Sequence, residues 1–535
     1  MTSSRSPRCM GSAPQTARGE VCGRLRPVFG DRLLCDDIPD RYTRDESIFS
    51  LRPLAVAQAL AESEVVAAAR ASLATGVPLV ARAGASNTGG AAVTDGILLT
   101  LGGERFERVR VDPRTGLAVA GPAVRHDRLQ SALAEHDLTL PSDPSSGPLS
   151  FVGGNIATRA SGPHALRDDA INRYLLEVRL VLVDGTVVDT REPESAPEAL
   201  LARLGTLARR IAGDPESVGR LRARRDEKWA SGYELLALLD HPDDPLRALP
   251  RLVCGSVGTL GLVTEAVLQA VPRPRRRAAV LLRFRTSRAA CEAALELRGE
   301  ASAIEIVSRS ALDLLRRHTA VLGGDPESQA LLIVEYAGES GVAEAAHQAA
   351  RRIASSGELT APPEVSGHED EIEEIWRARK SLLPVIGRLA DAGRVPYSVV
   401  NDVGVPPRRL PELIAGVESI FDRHRLDAPV YGHAGSGNLH LRPLFERGDA
   451  KTMRAVADEV YTLVTDLGGT ITAEHGMGRL RAPFLEREWG ARITGYMREL
   501  KSVFDPAGVL NPGVVFVPGD HDFSSDGWLE YLVGP

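Results

Sequence analysis

Cysteine is scarce in this sequence: 535 residues contain five, and no two of them form a C-x-x-C pair. This spacing excludes the cysteine sets that hold iron–sulfur clusters or structural zinc. Because an odd number of cysteines cannot pair completely, we predict free thiols and a reducing compartment.

Long apolar runs are missing as well. No stretch reaches the roughly 18–20 apolar residues that span a bilayer, and residues 1–30 lack the apolar core of a signal peptide. We therefore predict a cytoplasmic protein with no transmembrane segment. Residues 1–35 are expected to form a disordered tail, a transit peptide being the alternative, and residues 517–535 a second tail.

Positive charge is not in excess either. Lysine and arginine total 64 against 71 aspartate and glutamate residues, which gives a net charge of −7, and the two signs are interspersed. A protein that grips a phosphate backbone needs a basic stripe. We therefore expect no nucleic-acid partner.

The length of the chain indicates two domains. A single hydrophobic core stops growing at roughly 250–300 residues, and a cleft between two domains is the default place for an active site. Helix-like and strand-like periodicities are mixed along the chain, which predicts an α+β fold. A Pro-rich and basic stretch at 272–277 predicts the boundary, with one domain over 36–272 and the other over 273–516.

Local patterns predict several individual elements. A helix is expected over Glu62–Leu73 and a buried strand over 77–82. Asp184-Gly185 is a strong turn signal between β-branched runs, so residues 176–190 are predicted to form a hairpin. Farther along, a helix is expected over 373–390 and a strand over 397–403.

A glycine-rich loop follows the strand at 77–82. Within residues 84–90, three glycines provide backbone freedom and a Ser-Asn-Thr run adds side-chain donors. Such a loop can turn successive N–H groups inward as a nest for an anion. The segment matches neither the dinucleotide fingerprint nor the Walker loop, and alone it is equally consistent with a turn that binds nothing.

Three further motifs follow in order: Pro141-Ser-Asp-Pro-Ser-Ser146, Gly153-Gly-Asn-Ile-Ala-Thr158 and Gly255-Ser-Val-Gly-Thr-Leu-Gly-Leu-Val-Thr264. With them, the sequence resembles the vanillyl-alcohol oxidase / p-cresol methylhydroxylase (PCMH) flavoprotein superfamily. Within it, the resemblance is to the branch of D-lactate dehydrogenase, the glycolate oxidase FAD subunit and D-2-hydroxyglutarate dehydrogenase. It covers roughly residues 40–516. It implies a PCMH-type FAD-binding domain of two subdomains, followed by an α+β cap domain of the FAD-linked oxidase C-terminal type.

The resemblance also implies FAD, with its pyrophosphate on the glycine-rich loop and its rings near the three motifs. Noncovalent binding is expected, since that loop has no His or Cys and His164 stands beyond the Gly-Gly-Asn turn. The loop begins Arg82-Ala-Gly, where many relatives have an additional glycine. The implied cofactor-binding residues are Arg82, Ala83, Gly84, Ala85, Ser86, Asn87, Thr88, Gly89, Pro141, Ser142, Asp143, Ser145, Gly153, Gly154, Asn155, Thr158, Gly258, Gly261, Val263 and Asn511.

Two segments near the end of the chain carry metal-ligand residue types: Gly432-His-Ala-Gly-Ser-Gly-Asn-Leu-His440 and Gly468-Gly-Thr-Ile-Thr-Ala-Glu-His-Gly-Met-Gly478. Two His and one Glu suffice to bind a divalent metal with open positions for substrate. Histidines seven apart on an unbroken strand would face opposite sides, so the Gly-Ser-Gly-Asn turn must bring them together. Separate structural histidines remain the alternative reading of the spacing alone.

The resemblance implies roles for these residues. His433, His440 and Glu474 are expected to bind the metal, which is predicted to be Zn²⁺, with Mn²⁺ or Fe²⁺ as alternatives. His475 is expected to be the general base that takes the substrate hydroxyl proton, while hydride passes to flavin N5. Ser436 stands where relatives often have Asp, which removes a nearby anion and bears on which metal binds.

The substrate carboxylate needs a cation, and the resemblance places Arg379 there. An arginine can grip a carboxylate with two parallel hydrogen bonds. Without the resemblance, Arg379 would equally fit a solvated helix face. Asn401-Asp402-Val403 resembles the glycolate and lactate members, and the lysine of the hydroxyglutarate members is missing near Val400. This departure puts a second substrate carboxylate in doubt.

Together these observations predict metal-assisted, FAD-dependent oxidation of a 2-hydroxy acid. A noncatalytic FAD-binding subunit of an electron-transfer complex and an oxidase of a nonacidic alcohol are the alternatives. The expected partners are the small 2-hydroxy acid and an electron acceptor, which is an iron–sulfur protein, an electron-transfer flavoprotein or a quinone. The acceptor would also allow peripheral membrane association, and a homodimer is conceivable.

Overall fold

The computed structural model describes residues 15–166, 170–318, 320–388 and 393–517. Up to residue 272 the chain folds into helices and strands that build two larger sheets and one two-stranded sheet. The helices are α1 (Gln15–Phe29), α2 (Glu62–Thr75), α3 (His126–Ala134), α4 (Val152–Thr158), α5 (Glu198–Ala212), α6 (Pro215–Ala223), α7 (Leu236–Asp240) and α8 (Leu249–Val253). The strands are β1 (Leu33–Leu34), β2 (Ala55–Ala59), β3 (Leu79–Arg82), β4 (Ile97–Leu101), β5 (Val109–Asp112), β6 (Leu117–Ala120), β7 (Leu138–Thr139), β8 (Leu175–Val181), β9 (Val187–Asp189), β10 (Leu262–Gln269) and β11 (Val271–Pro272).

In the described chain, the two larger sheets of this region are not hydrogen-bonded to each other. One has the order β1-β2-β4-β3, in which β4 runs parallel to both β2 and β3. The other has the antiparallel order β5-β6-β10-β8-β9, with the predicted hairpin at β8 and β9. Parallel strands require a crossover connection, which α2 provides between β2 and β3. The predicted two-subdomain architecture is confirmed.

Beyond residue 272 the chain builds one large antiparallel sheet with helices packed against it. Its order is β15-β12-β14-β13-β18-β19-β17, and β16 pairs with β20 outside it. The strands are β12 (Arg276–Phe284), β13 (Ala303–Ser308), β14 (Ala330–Gly338), β15 (Glu364–Ser366), β16 (Arg394–Val395), β17 (Val403–Gly404), β18 (Val430–His433), β19 (Asn438–Leu441) and β20 (Phe445–Glu446). The helices are α9 (Ser287–Leu297), α10 (Arg309–Leu315), α11 (Ala320–Gly323), α12 (Val342–Ala354), α13 (Glu369–Lys380), α14 (Leu382–Gly387), α15 (Leu410–Arg423), α16 (Ala450–Asp466) and α17 (Leu485–Phe504).

The end of the described chain returns to the first domain. The amide of Leu79 on β3 donates to the carbonyl of Val509 at 2.8 Å, and the amide of Asn511 donates to the carbonyl of Leu79 at 3.0 Å. Residues 509–511 therefore lie beside the strand that leads into the glycine-rich loop. The α+β fold class is confirmed by these two regions, and the predicted boundary at residue 272 falls between β11 and β12.

The N-terminal region differs from the prediction. Residues 1–14 lie outside the described residues, but residues 15–29 form α1, so a disordered tail through residue 35 is wrong for this part. Val21, Leu25 and Phe29 recur every four residues and are buried in a core shared with α2 and β2. This helical spacing outweighs the polar composition around it.

Two cysteines also behave differently from the prediction. Cys22 and Cys35 form a disulfide, whereas Cys254 and Cys291 are free and buried. The prediction that the thiols are free is wrong for the first pair. The argument from free thiols to a reducing compartment therefore fails, and the cytoplasmic location stays a prediction.

Two element predictions near the site are also corrected. The single helix over 373–390 is divided into α13 and α14, because Pro384 has no N–H to donate to the carbonyl of Lys380. The strand over 397–403 is reduced to β17, because Asp402 has a φ of 74° and interrupts extended backbone before it. Within the described ranges, no helix has both the length and the apolar character needed to cross a membrane.

Candidate active site

The β18–β19 hairpin brings His433 and His440 to one face of the large sheet. In its register Tyr431 lies opposite His440 and His433 opposite Asn438, so the two histidines are diagonal neighbours. Gly437 closes the turn with a φ of 73°, and a Cβ there would lie 2.0 Å from the carbonyl oxygen of Val405. The predicted folding of the turn is therefore seen, and it requires glycine at this position.

Three ligand-type atoms meet at this face. Nε2 of His433 lies 3.2 Å from Nε2 of His440 and 3.1 Å from Oε1 of Glu474, and Nε2 of His440 lies 3.3 Å from the same oxygen. Protein atoms that each bind a zinc ion at about 2.0–2.2 Å are themselves roughly 3 Å apart. The three groups have the spacing and the chemistry of a divalent-metal site.

The contacts of His433 support this assignment. Its Nδ1 is hydrogen-bonded to Glu305, whose other oxygen lies 2.6 Å from Nη2 of Arg379. Burial alone would raise the pKa of Glu305, but His433 and Arg379 lower it to about 2, so the carboxylate is ionised. An ionised acceptor keeps the proton on Nδ1 and leaves the Nε2 lone pair directed at Glu474, an arrangement that a cation would satisfy.

The two carboxylate oxygens of Glu474 have different neighbours. Its Oε2 accepts hydrogen bonds from Lys228 at 2.7 Å and from Ser161 at 2.8 Å, which leaves Oε1 facing the histidines. Burial would raise the pKa of this carboxyl, but the charges of Lys228 and His433 hold it well below its usual value. Lys228 also donates to Oδ1 of Asn438 at 3.0 Å, within the hairpin itself.

Asp402 shapes the loop that carries Glu474. Its Oδ2 accepts N–H bonds from Ala473, Glu474 and His475 at 3.1, 3.0 and 2.8 Å. Asp402, His440, Glu474 and His475 each place one ligand-type atom within 4.8 Å of the others. Because the oxygen of Asp402 is engaged by these amides, we assign Asp402 to loop positioning, and His433 stays the predicted third ligand.

His475 lies beside the ligand triangle. Its ring stacks on that of His440 with centroids 5.3 Å apart, and its Nε2 lies 3.7 Å from Oε1 of Glu474. Its Nδ1 is 3.1 Å from the amide of Asn401. Burial lowers the pKa of His475 below its ordinary value although Asp402 and Glu474 act in the opposite direction. Burial likewise lowers the pKa of His440 to about 4.

The glycine-rich loop reaches this site from the first domain. The side chain of Asn87 folds the loop by accepting from the amides of Gly89 and Ala91, both at 2.9 Å, and it donates to the carbonyl of His475 at 3.2 Å. Gly89 packs so closely against Gly478 that a Cβ there would lie 3.3 Å from its Cα. The predicted cofactor loop and the predicted catalytic loop therefore touch.

The backbone of the loop fits an anionic ligand. Among the described residues, the amide N–H groups of residues 84–88 have no hydrogen-bond partner, and Ala85 has a φ of 56°. Successive free N–H groups around a left-handed residue form the nest that binds phosphate. Arg82 instead donates to the carbonyls of Arg41, Arg44 and Ala92, which anchors the start of the loop.

Other predicted cofactor residues converge on the same loop. Gly154, on α4, lies close enough to Ala83 that an added Cβ would be 3.1 Å from its Cβ. The 255–258 turn contacts the end of α4, because two of its backbone N–H groups donate hydrogen bonds to the carbonyls of Ile156 and Ala157. Asn511 donates to the carbonyls of Ala91 and Val257 at 2.9 and 2.7 Å and so links the loop to that turn.

The remaining predicted positions have varied surroundings. Ser142 donates to the carbonyl of Ala160, Asn155 lies 3.2 Å from the ring of His126, and Thr158 donates to the carbonyl of Gly154. Pro141 is buried, Ser145 is exposed, Gly153 packs against Pro122, Gly258 has open space around it, Gly261 directly precedes β10 and Val263 lies within it.

His164 is fully engaged by two carboxylates. Its Nδ1 lies 2.8 Å from Asp143 and its Nε2 2.9 Å from Glu335, and these groups raise its pKa well above 6.5 against the effect of burial. Burial also raises the pKa of the Cys254 thiol to about 12. Neither side chain offers the free nucleophilic atom that a covalent flavin bond would need.

We therefore predict that acid denaturation of the purified yellow protein releases all of its FAD into the supernatant. The measurement is the visible absorbance of the supernatant and of the precipitate. Flavin that stays with the precipitated polypeptide would contradict noncovalent binding.

Several site residues escaped the sequence analysis. Glu305 was detectable in principle, as a lone acid within an apolar strand, since a buried charge needs a partner. Lys228 and Ser161 come from the first domain, 246 and 313 residues before Glu474 along the chain. No local pattern signals contacts over such distances.

Comparison with known families assigns both domains. The model described as FAD binding domain matches residues 53–191, and the model described as FAD linked oxidases, C-terminal domain, matches residues 273–515. The metal-type residues all lie within the second match, and the glycine-rich loop lies within the first.

Two curated relatives have similar sequences. The glycolate oxidase subunit GlcD of Bacillus subtilis (strain 168) is 26% identical over 447 residues, which cover 82% of this chain and 84% of the relative. The D-2-hydroxyglutarate dehydrogenase of Pantoea ananatis (strain AJ13355) is 28% identical over 533 residues, which cover 94% of this chain. These residues make up 51% of that dehydrogenase, so the chain spans about half of its length.

A solved structure confirms the fold across nearly the whole chain. p-Cresol methylhydroxylase with substrate bound has a TM-score of 0.68 and 13% identity, and the match covers 95% of this chain and 98% of that one. At this identity the likeness shows the fold alone. The chain therefore contains, in order, an FAD binding domain and the C-terminal domain of the FAD linked oxidases, and it has the fold of p-cresol methylhydroxylase.

Proposed function

We propose that this protein oxidises a 2-hydroxy acid to the 2-oxo acid, using noncovalent FAD and a divalent metal. The observation that carries the proposal is the triangle of His433, His440 and Glu474, with His475 beside it and the glycine-rich loop in contact. The printed names of the two relatives, a glycolate oxidase subunit and a hydroxyglutarate dehydrogenase, support this substrate class.

The residues divide the work between two bound groups. When bound, FAD supplies a two-electron acceptor and the metal supplies a Lewis acid that favours ionisation of the substrate hydroxyl. His433, His440 and Glu474 would hold the metal, while the 84–88 backbone would hold the FAD pyrophosphate. Glu305 fixes the tautomer of His433, and Lys228 restricts Glu474 to a single facing oxygen.

His475 is the proposed proton acceptor. The Asn401 amide can be turned so that its Oδ1, which lacks a partner among the described residues, accepts from Nδ1–H. Nε2 is then unprotonated and faces the ligand triangle. A lowered pKa keeps this imidazole neutral at working pH, as a general base requires.

Arg379 stays our prediction for a substrate-binding cation, with a second task that the sequence did not indicate. Its guanidinium pairs with Glu305 and lies over the ring of Tyr431, 4.6 Å from the centroid. Through Glu305 it also supports the orientation of His433. A change at Arg379 would therefore affect the metal site as well as substrate binding.

Further details belong to the proposal. The metal is zinc in our preferred version, with Mn²⁺ or Fe²⁺ as alternatives. The acceptor is an iron–sulfur protein, an electron-transfer flavoprotein or a quinone, and it would recruit a cytoplasmic protein to the membrane periphery. Domain limits of 36–272 and 273–516 and a homodimer are part of the same proposal.

A panel of 2-hydroxy acids tested with an artificial dye acceptor examines the function. We expect turnover with at least one acid and none with the matching alcohol that lacks the carboxylate. Turnover of the nonacidic alcohol alone would favour the alcohol-oxidase alternative, and turnover of neither would favour the noncatalytic subunit.

A further inference from the structure

A buried cation without an anionic partner stands next to the metal-type residues. Arg442 directly follows β19 and is 6% exposed. Within the described part of the chain, no carboxylate oxygen lies within 4.0 Å of it. An uncompensated buried charge is costly, which indicates that an anion from outside the chain completes this position.

Each of the other buried arginines has a contact that Arg442 lacks, although Nε of Arg159, Arg379 and Arg481 also has no hydrogen-bond partner. Five arginines are buried in the described residues: Arg159, Arg283, Arg379, Arg442 and Arg481. The first three have a carboxylate partner, in Glu234, Glu364 and Glu305 respectively. Arg481 donates from its two terminal nitrogens to the carbonyls of Gly476 and Asn401, at 3.2 and 3.0 Å.

One edge of the Arg442 guanidinium is engaged and the other is free. Nη1 donates to the hydroxyl of Ser398. Nε has no hydrogen-bond partner, and no bond from Nη2 exists among the described residues. Nε and Nη2 form the side-on pair of N–H groups that binds both oxygens of a carboxylate. The free edge is therefore the one suited to bidentate recognition.

The position of Arg442 places it on the face of the sheet that carries the site. Its amide donates to the carbonyl of Pro429 at 3.0 Å, which continues the pairing of the hairpin one residue past β19. Residues two apart on a strand share a face, so Arg442 lies on the side of His440. Ser398, which holds Nη1, is three residues before Asn401, the partner of His475.

The charges around the site lead to the same conclusion. Lys228 is paired with Glu474, and Arg379 with Glu305. Arg481 has no carboxylate partner among the described residues, but both of its terminal nitrogens donate to carbonyls. Arg442 has neither kind of contact beyond its single bond to Ser398, and it lies on the same face as the metal-type residues. We propose that Arg442 binds a carboxylate of the substrate through its Nε and Nη2 edge. This inference rests on the proposed function and names a specificity-determining residue for it.

The test uses Arg442→Met in the FAD- and metal-loaded protein, with Arg283→Met as the matched control. Affinity is measured from the change in flavin absorbance on titration with pyruvate, which has one carboxylate, and with 2-oxoglutarate, which has two. We expect Arg442→Met to weaken binding about 10- to 100-fold, the effect of losing a charge-assisted bidentate contact. Arg283→Met should leave binding unchanged.

Stability provides an independent readout. Because Arg442 has no anionic partner, Arg442→Met should keep or raise the melting temperature without ligand, whereas Arg283→Met should lower it by removing one partner of an ion pair. Arg442→Lys keeps the charge but lacks the paired N–H groups of the guanidinium, so it should bind the same ligands with intermediate affinity. A structural arginine would show a loss of stability with unchanged affinity.

The two ligands identify which carboxylate is bound. Weaker binding of both by Arg442→Met assigns Arg442 to the carboxylate next to the reacting carbon, and weaker binding of 2-oxoglutarate alone assigns it to a second, distal carboxylate. Unchanged affinity for both overturns the inference. Wild-type protein that oxidises no 2-hydroxy acid would instead overturn the proposed function.

Discussion

His475→Ala is expected to lower kcat by roughly 10²–10⁴-fold, the usual contribution of a general base, while FAD and metal stay bound. The imidazole lies beside the ligand triangle rather than in it, with its Nε2 3.7 Å from the nearest oxygen of Glu474. Its removal takes away the proton acceptor and leaves the three ligand atoms in place. The measurements are steady-state kinetics, flavin absorbance and metal analysis of the same preparation.

The pH profile provides a second test of this role. A base must be unprotonated, so kcat falls as pH drops through the pKa of His475. Because burial lowers that pKa below its ordinary value of about 6.5, the acid limb of the wild-type profile should lie below about pH 6.5. The His475→Ala profile should lack this limb. His424→Ala, at a histidine paired with Glu459 on α16, serves as the control and should keep both rate and profile.

His440→Ala should lose its bound metal together with its activity. Nε2 of His440 is one of three atoms in the ligand triangle, and removing one of three protein ligands weakens the site itself. Chelation of the wild-type protein should likewise abolish turnover, and added Zn²⁺ or Mn²⁺ should restore it. Metal content by elemental analysis is the deciding measurement, since FAD should remain bound in both samples.

A graded change is expected at Glu305. Glu305→Gln keeps the size of the side chain but removes the charge that holds the Nδ1 proton of His433, and the loss of such a partner lowers metal affinity by about 10- to 100-fold.

If His440→Ala retains full metal while His475→Ala loses it, the roles assigned to the two histidines are exchanged. Full activity in metal-free wild-type protein would show that the reaction needs no metal.

Sequence patterns were sufficient to find the candidate ligand motifs and the candidate cofactor loop because each is local, and the roles of these residues stay predictions. The turn between His433 and His440 required glycine for steric reasons, and the glycine-rich loop followed a recognisable strand. The helix α1 was missed because its polar composition obscured Val21, Leu25 and Phe29. The break at Asp402 was missed because its carboxylate binds amides 71 to 73 residues farther along the chain.

The electrostatic surroundings of the site were beyond the reach of sequence patterns. Glu305 meets His433 because β13 pairs with β18 in the folded sheet. Lys228 reaches Glu474 from the other domain. Arg442 follows the motif by only two residues, yet its significance depends on knowing that no carboxylate of the described residues approaches it. Such contacts can be identified only when the positions of the charged groups in the folded protein are known.

The most direct test of the central claim is anaerobic mixing of the purified FAD- and metal-loaded protein with 2-hydroxy acids, followed through the visible absorbance of the flavin. The account predicts that at least one acid bleaches this band within the turnover time and yields one equivalent of 2-oxo acid per flavin. The same acid should leave the band unchanged after the metal is removed. A flavin that stays oxidised with every acid, in protein shown to contain full FAD and metal, would contradict the claim.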